Sequence, residues 1–317
     1  MRKVTILQHD GGELANQLWN YTSVYAYCLY RGYECENLSF FEYAQYFSAT
    51  GRESLLFRFL SFPFRDHHDR RSSFRRRIWR NLYKVFIVIP TIALSGSRNL
   101  FSNDTRAPDL RYDLPPTVPS TKSLERLEKS GTSFFLSSVS GGFFRNPKGI
   151  IEYRDAIRKR FAPAPDVARA VEDFMHPLRS QYAKVVGVHL RQGDYRVFKE
   201  GKYWLEQRRV REILDAYAQQ TSALPDSTCF VIASDGPIDA AQFTGLPVFI
   251  SKHTVGVDLF ILASCDAIIG SNSTFGYFVA YLANIPHIVM QNAPIDWPYY
   301  AGRKEFFENK YLSVMTY

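Results

Sequence analysis

The chain has 317 residues, 46% of them hydrophobic and 22% charged, which suits a soluble globular protein with room for two cores. Its formal charge of +8 points to anionic partners such as nucleotide phosphates or an acidic membrane surface. Of that charge, +6 sits in Arg65–Lys84, where eight Lys/Arg face two Asp; with no zinc-finger spacing, RNP motif or helix-turn-helix pattern, nucleic acid is excluded as a partner.

Lys3–His9 is β-rich and reads as a first strand, followed by a Gly11-Gly12 turn. Leu14, Leu18, Tyr21, Tyr25, Cys28 and Leu29 then recur at helical spacing up to Arg31, and Gly32 stops the helix. No secretory leader is expected, because Met1-Arg2-Lys3 leads straight into the strand. Residues 33–64 are aromatic and read as irregular. The basic stretch Arg65–Lys84 and the apolar Val85–Leu94 read either as an amphipathic segment on an anionic membrane or as a solvated helix followed by a core element. The apolar part is too short to span a bilayer. A short helix over Lys122–Glu128 and a strand with a Gly-Gly loop over Ser133–Phe144 follow. Phe161–Pro165 reads as a linker or domain edge.

From Val185 the pattern becomes regular. Strand Val185–Leu190, a helix over Tyr203–Gln220, strand Ser227–Ser234 and strand Ala267–Ser271 alternate with further helices and the short runs "PVFI" and "HIVMQ". Continuous apolar strands alternating with helices predict an α/β class with a parallel, doubly wound sheet. The N-terminal half opens the same way, so two α/β domains facing a cleft are expected. The boundaries are 1–165 and 166–317. The cysteines, at 28, 35, 229 and 265, form no CxxC pair and read as free thiols of a cytoplasmic protein.

In open α/β sheets ligands bind beyond the carboxyl ends of the strands. Three polar clusters stand there: His189, Arg191 and Asp194; Ser234 and Asp235; and Ser271, Asn272, Ser273 and Thr274. The last opens a helix, whose N–H groups favour anions. Arg191 can add a bidentate, charge-assisted contact. Each cluster also has a structural reading: ion pair, turn or N-cap. Together they describe a nucleotide-diphosphate pocket.

These residues carry a resemblance. "HLRQGDYR" resembles the H-x-R-R-G-D segment of the GDP-fucose-dependent fucosyltransferases of the α1,2 type. "VIASDG" is similar to the strand ending in Ser/Thr-Asp of the related α1,6 and protein O-fucosyltransferases. "GSNSTFGYFVAYLA" and "GGELANQLWNYTSVYAYC" resemble their helix-opening and N-terminal segments. The resemblance implies a GT-B-like fold with two Rossmann-like domains. An acceptor-side domain would carry a basic insertion near 65–94, and a C-terminal domain would hold the GDP-sugar. It implies inverting, metal-independent transfer of fucose from GDP-fucose to an oligosaccharide or lipid-linked glycan, with no cofactor beyond the co-substrate. A bacterial surface glycan made at the inner membrane face follows by analogy.

Carried over residue by residue, Arg191 would bind the pyrophosphate and stabilise departing GDP. His189 would contact the nucleotide or position Arg191. Asp235, beside Ser234, would contact ribose or guanine, and Ser273, Thr274 and Phe275 would hold the phosphates. Gly12, Asn16 and Gln17 would lie on the donor-sugar and acceptor side. Asp194 is the candidate base, with Glu13 and Glu200 behind it, or else a partner of Arg191 or Arg196. Two departures stand out. Gln192 replaces the second arginine, with Arg196 a substitute, and Glu13 and Ala15 stand where glycine is usual. A transferase of another nucleotide sugar, or a non-catalytic basic membrane- or polysaccharide-binding protein, remains the alternative.

Overall fold

The computed structural model describes residues 3–8, 12–48, 54–64, 74–94, 100–102, 133–137, 146–221 and 227–306. The expected Gly11 half of the first turn, the Lys122–Glu128 helix, the Gly-Gly loop after residue 137 and residues 65–73 of the basic stretch lie outside them. The chain divides into two compact units, one built on Met1–Ala164 and one on Pro165–Leu312.

In the first unit, β1 (Lys3–Gln8) runs into α1 (Leu14–Arg31), which ends at Gly32. Strand β2 (Glu34–Asn37), β3 (Leu100–Ser102) and β4 (Phe134–Ser137) complete a parallel sheet in the order β2-β1-β4-β3. The stretch expected to be irregular therefore contains β2, three 3-10 turns and α2 (Leu55–Ser61). Its aromatics explain the lost periodicity. Phe40, Tyr21, Phe47 and Phe161 meet edge-on or tilted at centroid distances of 5.2–6.2 Å, filling a core without a repeating spacing. Helix α3 (Phe74–Tyr83) continues through one π-turn (Lys84–Val88) into α4 (Ile89–Leu94), so the apolar run is helical. Helices α5 (Pro147–Glu152) and α6 (Arg154–Arg160) close the unit. Phe161–Pro165 is not a loose linker: the Ala162 carbonyl accepts the Ser48 N–H at 2.8 Å and the Ala164 N–H reaches the Tyr46 carbonyl at 3.0 Å.

The second unit starts with α7 (Pro165–Gln181) and β5 (Lys184–Leu190). Two 3-10 turns occupy the loop after β5, so the next helix, α8 (Gln207–Gln220), begins later than its sequence suggests. Then come β6 (Thr228–Ser234), β7 (Val248–Ile250), α9 (Val255–Ala263), β8 (Ala267–Ser271), α10 (Thr274–Ala283), β9 (His287–Met290) and α11 (Trp297–Tyr300). All pairings are parallel, in the order β7-β6-β5-β8-β9. The order reverses between β5 and β8, which makes that junction the topological switch point. Strand β5 is apolar from Val185 to Val188 because both faces are covered. Val186, Val188 and Leu190 enter a core with Ile213, Leu214 and Phe230. On the other face sits Gly187, where a methyl group would lie 2.7 Å from Ile268 Cδ1 and 2.9 Å from Leu262 Cδ2.

Candidate active site

Three loops leave the carboxyl ends of β5, β6 and β8, and they are tied to one another. As the chain leaves β5, the Arg191 N–H donates to Ser271 Oγ at 3.0 Å, bridging to the buried end of β8. The next two amides, of Gln192 and Gly193, both donate to Asp235 Oδ1, at 2.5 and 2.9 Å, bridging to the loop after β6. Tyr195 donates its hydroxyl proton to the Asn272 carbonyl at 2.7 Å, a second tie to β8. Ser234 Oγ accepts the Gly236 N–H at 3.1 Å and tightens the β6 loop. Gly236 is a close approach: a Cβ there would stand 2.7 Å from Gln192 Cβ.

These ties aim one side chain. Arg191 Nε lies 2.9 Å from Asp194 Oδ1 and 3.2 Å from Asp235 Oδ2. Its guanidinium also sits over the Tyr195 ring at 5.7 Å. Burial works against its charge, but the Asp194 hydrogen bond and the fields of both carboxylates prevail and raise its pKa. Both carboxylate contacts run through Nε. The Nη1–Nη2 edge makes no hydrogen bond among the described residues. That edge is the one that grips a phosphate or carboxylate bidentately.

Helix α10 begins beside this group. Ser273 is its N-cap, with Oγ accepting the Phe275 N–H at 3.2 Å. Thr274 and Phe275 form its first turn, where the aligned peptide dipoles favour negative charge. The Phe275 ring does not hold phosphate. It stacks on the His189 imidazole at 4.8 Å. His189 is buried beneath the helix start, and burial, aided by the Arg191 charge, pushes its pKa down to about 3. A neutral imidazole adds no positive charge at the helix start. Its Nδ1 has no hydrogen-bond partner among the described residues.

Sequence reasoning missed three members of the site. Ser271 was read only within its polar cluster and turns out to clamp Arg191. The Tyr195 tie had no local signal. His287, fully buried on β9, is the third. Its Nε2 would lie 3.0 Å from a Cβ on Gly276, and the same Cβ would meet His189 Nδ1 at 3.4 Å. Burial, then the neighbouring His189, lowers its pKa to about 3.

Other expected residues are placed differently. The Gln192 amide is buried and donates to the Leu205 carbonyl at 2.9 Å, so it supplies nothing to an anion. Arg196 stacks over Trp204 at 5.3 Å. Asp235 accepts the Gln192 and Gly193 amides and lies 3.2 Å from Arg191, so it supports the loop. Glu200 is exposed, with a left-handed φ of 58°. In the first unit, Gln17 is fully buried and its Nε2 donates to the Gly12 carbonyl at 3.0 Å, so it shapes the turn before α1. Asn16 is half-buried, and its Oδ1 has no partner among the described residues. Glu13 receives the Tyr43 hydroxyl at 3.3 Å and lies 3.6 Å from Arg76, which engages it structurally. The described residues contain no group of three or more His, Cys, Asp or Glu able to hold a metal ion.

A parallel sheet whose order reverses between β5 and β8, with the loops tied across that switch point, defines a doubly wound α/β protein. Residues 125–311 match the model of glycosyl transferase family 11, and the chain belongs to that family. It is 31% identical over 149 residues to galactoside alpha-(1,2)-fucosyltransferase 2 of Mus musculus; the match covers 44% of this chain and 43% of the mouse protein, less than half of each. Its fold resembles a variant of Arabidopsis thaliana FUT1 in complex with GDP: TM-score 0.53, 11% identity, 93% of this chain and 72% of that one. The fucosyltransferase NodZ from Bradyrhizobium superposes with TM-score 0.50 at 12% identity, over 93% and 97% of the two chains. POFUT1 in its apo form also gives 0.50, at 13% identity, over 91% and 98%. The fold is of the GT-B type.

Proposed function

We propose that the chain is an inverting fucosyltransferase that moves fucose from GDP-fucose to a glycan hydroxyl, in α1,2 linkage. The carrying observation is the Arg191 fork. It is held by Nε against Asp194 and Asp235, while its Nη edge is unspent beside the start of α10. Family membership and the α1,2-fucosyltransferase named for the mouse relative support the sugar and linkage. In the reaction the bond from the anomeric carbon to the β-phosphate oxygen breaks with its electrons moving to GDP. The acceptor oxygen bonds to the opposite face of that carbon and passes its proton to a base, for which Asp194 is the candidate. Arg191 and the first turn of α10 stabilise the charge arriving on the diphosphate, the expected large contribution. With that charge met by protein groups, the reaction needs no cofactor or metal. An oligosaccharide or lipid-linked acceptor in bacterial surface-polysaccharide synthesis, at the cytoplasmic side, completes the reading.

A second reading, transfer of another nucleotide sugar, draws on Gln192, whose inward amide leaves Arg191 without a second cation from that position. A donor screen decides: release of GDP or UDP is measured across nucleotide sugars with and without EDTA. Fastest turnover of GDP-fucose, unaffected by EDTA, is expected. Preference for another donor, or a strict requirement for added metal, would overturn the corresponding part.

A further inference from the structure

Helix α3 is amphipathic the wrong way round. In an ordinary surface helix the apolar stripe faces the core and the charges face water. Here Arg76 and Arg80 point inward. Arg76 Nε lies 3.0 Å and Arg80 Nε 2.5 Å from Glu42, whose side chain is buried, and Arg80 also donates to the Ser39 carbonyl at 3.2 Å. Tyr83 and Val88 are buried on the same side. The opposite side is apolar. Phe74, Ile78, Leu82, Val85 and Ile89 recur every three or four residues and are exposed, from 39% at Ile78 to 76% at Phe74. The stripe runs unbroken from α3 through the π-turn into α4.

The neighbouring helix extends it. Phe59 of α2 meets Trp79 of α3 edge-on at 5.8 Å, and α2 exposes Leu55, Leu56 and Phe59. Isolated exposed apolar residues are ordinary, but a contiguous face on two adjacent helices marks an interaction surface. Charge identifies the occupant. Residues 54–64 and 74–94 contain no Asp or Glu. Arg58 and Arg77 are exposed around the apolar face, and Lys84 is half-exposed. A second copy would set these cations against their own equivalents. An anionic bilayer meets both features, since acyl chains take the stripe and headgroups take the cations.

We propose that the α2–α3–α4 face is a membrane-docking surface that lies in the interface of an anionic bilayer. Among the described residues no helix is long and apolar enough to cross a membrane, so the association is peripheral. The surface belongs to the first unit and does not depend on the reaction assigned to the protein.

Vesicle co-sedimentation of the full chain tests this, with phosphatidylcholine alone and phosphatidylcholine mixed with phosphatidylglycerol. The wild type is expected to bind the mixed vesicles and to release as salt screens the headgroups. Ile78→Asp with Val85→Asp should weaken binding at least about tenfold. Arg77→Gln and Arg58→Gln should each weaken it roughly fivefold. All these positions are exposed, so unfolding temperatures should match the wild type; the single variant Phe86→Asp, 70% exposed, guards against loss of the double variant. The proposal is overturned if the wild type ignores anionic vesicles, binds neutral ones equally, or is unaffected by the aspartates. It is also overturned if sedimentation velocity reveals a self-associated species that the aspartates dissolve.

Discussion

Arg191 is one guanidinium against two carboxylates, Asp194 and Asp235, so the local sum is negative before any ligand arrives. A diphosphate on the Nη edge then competes with Asp194 for the charge of Arg191, not for its Nε; the Asp194 side chain is 56% exposed, while Asp235 is held by the Gln192 and Gly193 amides. Arg191→Ala is expected to lower kcat/KM for transfer about a hundredfold or more. Arg191→Lys should recover little, because an ammonium cannot hold Asp235 through one nitrogen and a phosphate through a fork. Near-normal turnover of the Ala variant would remove Arg191 from its assigned role. Asp194→Asn separates two roles. If Asp194 is only the competitor for Arg191, GDP binds as well or more tightly, as calorimetry would show, and kcat survives. If it is the base, kcat collapses while GDP affinity holds. The histidines make a pH prediction. His189 and His287 have folded pKa values of about 3 against the ordinary 6.5, so the unfolded chain takes up protons first as pH falls. Their contribution to stability is complete above pH 6.5 and is lost progressively toward about 3. His287→Gln should therefore flatten the decline in unfolding temperature over that range; an unchanged decline would show that other groups carry it.

At the scale of elements, β5 is the support of the site, and its middle residue cannot grow. Gly187→Ala would drive a methyl group into Ile268 and Leu262, at a cost of about 1–3 kcal/mol, read as a lower unfolding temperature with Arg191 chemistry intact at low temperature. An unchanged melting curve would mean that α9 and β8 yield easily. The same strand shows what a sequence discloses. Strands β5, β6 and β8 were legible because both faces are buried, which leaves unbroken apolar runs ending abruptly in polar residues. Arg191, Asp235 and Ser273 stand at or just beyond those ends. What was not legible depended on partners far along the chain. Strand β4 inserts between β1 and β3, a pairing no local pattern encodes. Phe275 looked like a phosphate-side residue, and only the fold shows it stacked on His189. The charge of α3 read as a solvated or lipid-facing face, whereas Arg76 and Arg80 turn toward Glu42, 34 and 38 residues earlier.

For the whole molecule, the proposed donor site and the proposed docking face fall in different units. The tied strand ends belong to Pro165–Leu312, and the inverted helix belongs to Met1–Ala164. A change on α3 is thus expected to move vesicle binding without moving GDP affinity, and a change at Arg191 the reverse; parallel sedimentation and calorimetry on both variants would expose any leakage between them. The strand order carries a further consequence in time. Strand β5 is made early in its unit but stands at the centre of the sheet, and the hydroxyl that fixes the Arg191 amide arrives 80 residues later. At bacterial-to-eukaryotic translation rates that gap is roughly 4–16 s. During it the growing chain carries an arginine with no β8 beside it. Ribosome-stalled chains whose β8 and α10 have not cleared the exit tunnel should fail to be retained by immobilised GDP, and chains long enough to expose both should be captured. The junction that holds Arg191, in other words, comes into being only after β8 has been made, so a chain that stops short of it lacks that tie.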